Sequence, residues 1–320
     1  MFEETITKVF SQLDIDNFNV DLSQRFLFLC GGIINVRSMI PASFRDRILG
    51  YTATKEPQLH DYFVLAENFK DYFKENTYPD LLVFEDDIAS ISTLILIFLE
   101  SPGSLVELGI FCNKPNFYKK LLIIAPQHET EKEDSFIYLG PIEYIKRKDS
   151  TSVAIFPWPD ERVADYEEDH LYDLCEQIKS KLALIPKSEK FDKNISGHIA
   201  LLVCEIITLC FPIQLSEIEQ ALNSININSS SKMISRYIYL LQKMGLVKQI
   251  AYSTNKYFYP AKKENKRIRF GKTLKNEIID NMKIFMSVRQ SFIDSNDPLS
   301  RRRKTVLKLI KDVLAKGDER

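Results

Sequence analysis

A carboxylate one helical turn beyond a glycine turn, where a buried strand ends, is the arrangement in this chain most suited to chemistry. It falls in the run Ser101-Pro102-Gly103-Ser104-Leu105-Val106-Glu107-Leu108-Gly109. Gly103 allows backbone N–H groups to approach a ligand closely, and a helix N-terminus favours anionic groups such as phosphate. Ser101, Gly103 and Ser104 are therefore candidate substrate-binding residues. Glu107 could attack a sugar carbon and carry it as a glycosyl ester. The same glutamate could equally cap or salt-bridge its helix, because acidic side chains are favoured in first helical turns. Spacing alone leaves both readings open.

The surrounding pattern predicts what must position that run. Arg25–Cys30 reads as a buried strand, apolar without a break from Phe26, that stops at Gly31-Gly32, as a central parallel strand covered on both faces would. Further strands are expected at His60–Leu65, Thr93–Leu99, Lys120–Ala125 and Thr151–Phe156. Helices are expected at Ser43–Leu49, Asp80–Ser92, Ser104–Phe111 and residues 161–185. Strands alternating with helices imply a Rossmann-like, doubly wound parallel α/β sheet. In such sheets ligands sit beyond the carboxyl ends of the strands, which sets Gly31-Gly32 and Glu100–Ser104 at one mouth.

The sequence Phe28-Leu29-Cys30-Gly31-Gly32, followed by a carboxylate-bearing helix, a long strand and Glu100-Ser101-Pro102-Gly103-Ser104 with Glu107-Leu108-Gly109, resembles the nucleoside 2-deoxyribosyltransferase family. With Gly140-Pro141 added, it looks most like the deoxyribosyltransferase-like effectors of bacterial retrons. The resemblance covers residues 20–160 and implies an N-glycosidase. Glu107 then matches the nucleophile, Glu85 the acid that helps protonate the leaving base, and Gly31 and Gly32 the turn facing sugar and base. Asp86 and Asp87 compete with Glu85 for that role. Transferases of the family place an aspartate six residues before the nucleophile, where this chain has Ser101 beside Glu100, so an ordinary nucleoside is not the implied substrate. A retron effector would be a toxin of phage defence that cleaves a nucleotide, with NAD a candidate. It would be restrained by a reverse transcriptase and the msDNA with its RNA.

Charge separates the chain into two parts. Residues 1–186 carry 18 Lys and Arg against 31 Asp and Glu, whereas residues 187–320 carry 25 against 13. The basic half has the electrostatic footprint of a polyanion binder, although opposed halves could also simply attract one another. Its pattern predicts helices at His198–Cys210, Ser216–Asn223 and Lys232–Met244, a stop at Gly245, and paired strands at Leu246–Ala251 and Lys256–Tyr259. This is the order of a winged helix. Ile234, Ile238 and Leu241 should be buried, leaving Lys232, Ser235, Arg236, Tyr239 and Lys243 for contact. Tyr252, Lys256, Lys262, Lys263 and Arg267 extend the candidate nucleic-acid surface. Two amphipathic helices, Lys272–Ile293 and Leu299–Leu314, should close the chain. The expected domains are thus 1–186, an N-glycosidase, and 187–320, a nucleic-acid-binding domain.

Five scattered cysteines without a C-x-x-C pair, and four separated histidines, predict buried thiols in a reducing cytoplasm, with no metal and no cofactor. The N-terminus lacks the basic start of a signal peptide, and the seven-residue run Thr93–Leu99 is too short to span a bilayer. Self-association is permitted by the apolar surface and opposed charges. A second reading of different class is a nucleic-acid-binding regulator whose α/β domain senses a nucleotide without turning it over.

Overall fold

The computed structural model describes residues 2–35, 37–67, 69, 77–130, 135–159, 163, 165–262 and 266–317. In chain order the elements begin with α1 (Phe2–Phe10), β1 (Asn19–Asp21), β2 (Leu27–Cys30), α2 (Phe44–Lys55), α3 (Pro57–His60) and β3 (Phe63–Leu65). Next come α4 (Leu81–Ile91), β4 (Leu94–Phe98), α5 (Pro102–Phe111), β5 (Leu121–Pro126), α6 (Gln127–Thr130), α7 (Glu143–Lys148), β6 (Val153–Phe156) and α8 (Glu168–Leu184). The remainder is β7 (Ser188–Lys190), α9 (Ser196–Cys210), α10 (Leu215–Ser224), α11 (Ser231–Lys243), β8 (Val247–Tyr252), β9 (Asn255–Pro260), β10 (Ile268–Arg269), α12 (Asn281–Ile293) and α13 (Pro298–Gly317). These elements form two compact units: a sheet unit of residues 24–70 and 92–186, and a helical unit of residues 1–23, 71–91 and 187–320.

The sheet unit is built on five parallel strands in the order β3-β2-β4-β5-β6. Numbered within the sheet this is 2-1-3-4-5, a doubly wound order whose switch point falls between β2 and β4. Continuous apolar runs make sense here because both faces are covered. Leu27, Leu29, Leu94, Leu96, Phe98, Leu122, Ile124, Ala154 and Phe156 share one core with Phe44 and Ile48 of α2 and with Leu174 and Ile178 of α8. The alternate residues Phe28, Cys30, Ile95, Ile97 and Ile123 are equally buried. One expected strand is shorter than its apolar pattern. His60 ends α3, begun by Pro57, and only Phe63–Leu65 pairs with β2.

In the helical unit α9 is buried along nearly its whole length. Helices α9, α10 and α11 precede the β8–β9 hairpin, in the anticipated order, and Gly245 ends α11 at φ 70. Helix α10 starts one residue before the expected Ser216, and the amide of its N-cap Gln214 donates to the Glu217 carboxylate at 2.7 Å. Residues 272–280 are not helical. Asn276 at φ 64 and the bridge between Lys272 and Ile278 turn the chain there, and Asp280 caps α12. A small antiparallel sheet, β10-β1-β7, gathers three distant segments that carry no strong strand pattern.

Helix α4 lies apart from the first-domain boundary read from sequence, since it groups with residues 187–320. Its anchor is Gly197 of α9, whose amide donates to Ser90 Oγ at 2.8 Å. A Cβ at Gly197 would lie 2.2 Å from the Ser90 carbonyl oxygen. Gly197→Ala should therefore destabilise the protein by about 1–3 kcal/mol through forced separation of the two helices. Gly50→Ala, with nothing within 4 Å of the added methyl, should instead be neutral or gain up to about 1 kcal/mol. Urea denaturation of the two variants checks the contrast.

Candidate functional site

The carboxyl ends of β2, β3 and β4 bring three glutamates around one arginine. Arg45, in the first turn of α2, is 4% exposed. Its guanidinium donates to the carbonyl of Leu29 at 3.0 Å, to the carbonyl of Gly32, and to the carboxylate of Glu67, which follows β3. Glu107 stands on α5 within range of the same cation. Burial pushes its carboxyl up to about 7, against a hydrogen bond from the Cys30 thiol and the Arg45 charge, while Glu67 adds to the rise. A carboxylate held near neutrality beside a buried cation has the properties of a reacting group.

Glu100 is the most constrained of the three. It accepts from Gly32 N at 2.8 Å, Phe44 N at 2.7 Å and Arg45 N at 3.1 Å. Its carboxylate thus fills the glycine turn and the N-terminus of α2, the places an anionic ligand group would otherwise favour. Burial raises its pKa, opposed by these donors and by Arg45. The close approach explains the glycines. A Cβ at Gly31 would meet Glu100 Oε1 at 2.9 Å, and one at Gly32 would meet Ser43 Cβ at 2.7 Å. The Gly32 amide, expected to face substrate, is taken by Glu100.

Ser101 and Ser104 serve the helix itself. Ser101 caps α5, accepting from Ser104 N at 3.1 Å, and donates its hydroxyl to the Gly31 carbonyl at 3.1 Å. Ser104, fully buried, accepts from the amides of Glu100 and Ser101. Gly103 is exposed, and a Cβ there would meet Ser101 Oγ at 3.7 Å. On the flank of α5 that carries Pro102 and Leu105, a cavity of about 420 Å³ opens, lined also by Glu100, Ser101, His128, Tyr138 and Trp158. Tyr138 and Ile142 reach it from a π-helical turn that contains Gly140-Pro141. Glu107 is not among the lining residues.

Glu85 is buried on α4, in the helical unit rather than the sheet unit. Its neighbour Asp87 pairs with Arg236 at 3.4 Å, and burial pushes Asp87 up to about 6 despite that cation. The carboxylate that the sheet unit couples to Glu107 is Glu67, which the sequence pattern did not reveal. A signal was present in Arg45-Asp46-Arg47. Three charges amid the apolar Phe44, Ile48 and Leu49 could not all face water, and all three are buried.

The expected nucleic-acid face divides. Lys232, Lys243, Lys256 and Lys262 are exposed, and Ser235 is half-buried, its hydroxyl returned to the Ser231 carbonyl. Ile234, Ile238 and Leu241 are buried as anticipated. Arg236 instead faces α4, 5.6 Å over the ring of Tyr78, and Tyr239 is buried edge-on to the same ring. Arg267 is 2% exposed because its backbone is drawn to Glu205 of α9, which accepts from Arg267 N at 2.6 Å. Tyr252 packs beside Tyr257, Tyr259 and α13. Lys263 lies outside the described residues. All five cysteines are free and buried. No helix among the described residues is long and apolar enough to cross a membrane.

A five-stranded parallel sheet in doubly wound order, flanked by many helices, makes this a mixed α/β protein. The chain belongs to the STM3845 retron effector family, whose model matches residues 41–249. It is 28% identical over 216 residues to a retron Ec73 protein of Escherichia coli, named for a proposed ribosyltransferase activity and DNA binding; the match covers 63% of this chain and 67% of that one. A retron Ec86 protein of Escherichia coli with the same descriptive name is 30% identical over 161 residues, covering 50% of this chain and 48% of that one. The chain thus spans about half the length of the Ec86 relative.

The raised pKa of Glu107 has a cost that a variant should expose. The unfolded chain ionises at the ordinary value of 4.5 and the folded one only near 7, so the buried charge opposes folding increasingly as pH rises through that window. Glu107→Gln removes the charge and should stabilise the protein at pH 8 by about 1–3 kcal/mol. The gain should vanish below pH 4.5, where the wild-type side chain is neutral in both states. Thermal melting at the two pH values measures it.

Proposed function

We propose that this retron effector cleaves an N-glycosidic bond of a nucleotide, with Glu107 as the nucleophile. The observation that carries the reading is Glu107 itself, desolvated, hydrogen-bonded by Cys30 and facing the Arg45 charge at the end of β4. Attack at C1′ gives a glycosyl ester through an oxocarbenium-like transition state, the base departs with the bond's electron pair, and water then releases the sugar. A cationic pyridinium, as in NAD, leaves without protonation, which suits a site where the second carboxylate coupled to Glu107 is already tied to Arg45. In this reading Glu67 orients the reacting centre. Glu85, first assigned as leaving-group acid, would act there only if its unit met the site. The cavity beside Ser101, with Trp158 and Tyr138 on its wall, is where a further part of the substrate would rest.

The basic helical unit, with the helix order and hairpin of a winged helix, would hold nucleic acid. The partners proposed are the retron reverse transcriptase and the msDNA with its RNA, which would keep the toxin restrained until phage infection. One observation favours the alternative of a nucleotide sensor without turnover: Glu100 occupies the amides that would grip a phosphate. Free base separates the two readings.

Incubated with NAD and with ribo- and deoxyribonucleotides, the protein should liberate base from one class, followed by chromatography. Glu107→Gln should reduce that rate by about 10³-fold or more. Undiminished release would remove Glu107 from the mechanism. A nucleophile must be ionised, so the rate should climb as pH passes about 7 and then level. Cys30→Ala deletes a hydrogen bond to the charged form and should move that inflection to higher pH.

A further inference from the structure

The basic half of the chain must present its charge somewhere, and the central face of α11 is poorly placed to do so. Arg236 turns to Asp87 and Tyr78, Tyr239 is buried, and Arg267 is inside. Only the ends of α11, at Lys232 and Lys243, meet solvent as cations.

Helix α13 is the opposite case. Its rotation is set by burial of one face: Arg303 donates to the Glu217 carboxylate and the Pro212 carbonyl and stacks 3.5 Å over Phe2, while Val306, Leu307 and Ile310 enter the core. Its start is pinned by Asp297, which accepts from the amides of Leu299 and Ser300 at 3.0 Å each. With that face inside, Arg301, Lys304, Lys308 and Lys311 fall within about 80° of arc along about 15 Å of axis. Arg301, Lys308 and Lys311 are exposed and Lys304 is half-buried, with exposed Arg302 on the adjoining side. Arg301 Nε donates to the Asn296 carbonyl at 2.8 Å, which orients a guanidinium without neutralising it. Among the described residues no carboxylate holds Arg302, Lys304, Lys308 or Lys311. Asp312 is the single acidic residue in the helix. The run Arg301-Arg302-Arg303-Lys304 thus lies within one helix, with Arg303 inside and its basic neighbours in a row outside.

We propose that this row is a docking surface for duplex DNA, gripping backbone phosphates without reading bases. It rests on the nucleic-acid half of the proposed function and names the surface that carries it. The helix contains no aromatic residue on which an unpaired base could stack, and no Asn or Gln to reach adenine edges. Cations alone on a straight helix suit phosphates that flank a groove wide enough to admit a helix, as in B-form DNA. The narrow major groove of duplex RNA does not admit one.

The test is fluorescence anisotropy of the full chain with a 20-base-pair DNA duplex across a salt series. Lys308→Glu with Lys311→Glu should weaken binding at least about ten-fold and make the log–log salt slope shallower by about 2. Because both positions are exposed, the melting temperature should not move. Lys232→Glu with Lys243→Glu, at the ends of α11, should weaken binding less than the Lys308 and Lys311 pair does. Unchanged affinity and slope in the charge-reversal variant overturn the proposal, as does a larger loss from the Lys232 and Lys243 pair. Tighter, stripe-dependent binding of duplex RNA or of a single strand also overturns it. If the wild type binds no nucleic acid at all, the broader reading of the helical unit fails too.

Discussion

Three backbone amides converge on the carboxylate of Glu100, and the architecture of the sheet's mouth follows from that convergence. The donors come from the turn after β2 and from the first turn of α2, so one side chain at the end of β4 ties together both sides of the switch point. Charge-assisted bonds of this kind are roughly twice as strong as neutral ones, and here they also satisfy amides that the start of a helix leaves orphaned. Gly31 and Gly32 are required because any side chain would strike Glu100, Arg45 or Ser43. Arg45, brought in by the same turn of α2, then supplies the cation against which Glu67 and Glu107 are set.

Burying several carboxylates around one guanidinium is a poor way to stabilise a fold, since desolvation can outweigh the attraction. At Glu107 burial outweighs the Cys30 hydrogen bond and the Arg45 charge and pushes the carboxyl up to about 7. Glu67 is matched to Arg45, Glu100 to backbone amides, and Glu107 to the Cys30 thiol. The least compensated member is Glu107, the proposed nucleophile, and stability given up at that position is what the proposal expects.

The helical unit uses buried carboxylates differently. Glu205 binds the amides of Arg267 and Ile268 and the side chain of Asn281, joining α9, β10 and α12. Glu217 holds Arg303 and so fixes which face of α13 meets water. In both cases a charge inside determines where cations appear outside. That is why Arg267 and Arg303, indistinguishable in sequence from their basic neighbours, are interior residues.

Much of the sheet and the helix order was legible because apolar periodicity reports burial directly, and parallel strands covered on both faces leave unbroken runs such as Leu94–Phe98. The stop at Gly245 was legible for an equally local reason, because its φ of 70 is a requirement of backbone geometry within a few residues. What the sequence determined by itself was therefore the strands of the main sheet and most of the helices, with Glu107 as a nomination. Tertiary structure alone decided which charges share a site. Glu67, Arg45 and Glu100 are separated by tens of residues and meet only because β2, β3 and β4 are neighbours in the sheet. It also decided that α4, with Glu85 and Asp87, joins the helical unit and covers Arg236. Pairing between distant segments leaves no periodic trace in the chain, because it depends on which surfaces close against one another after the elements have formed.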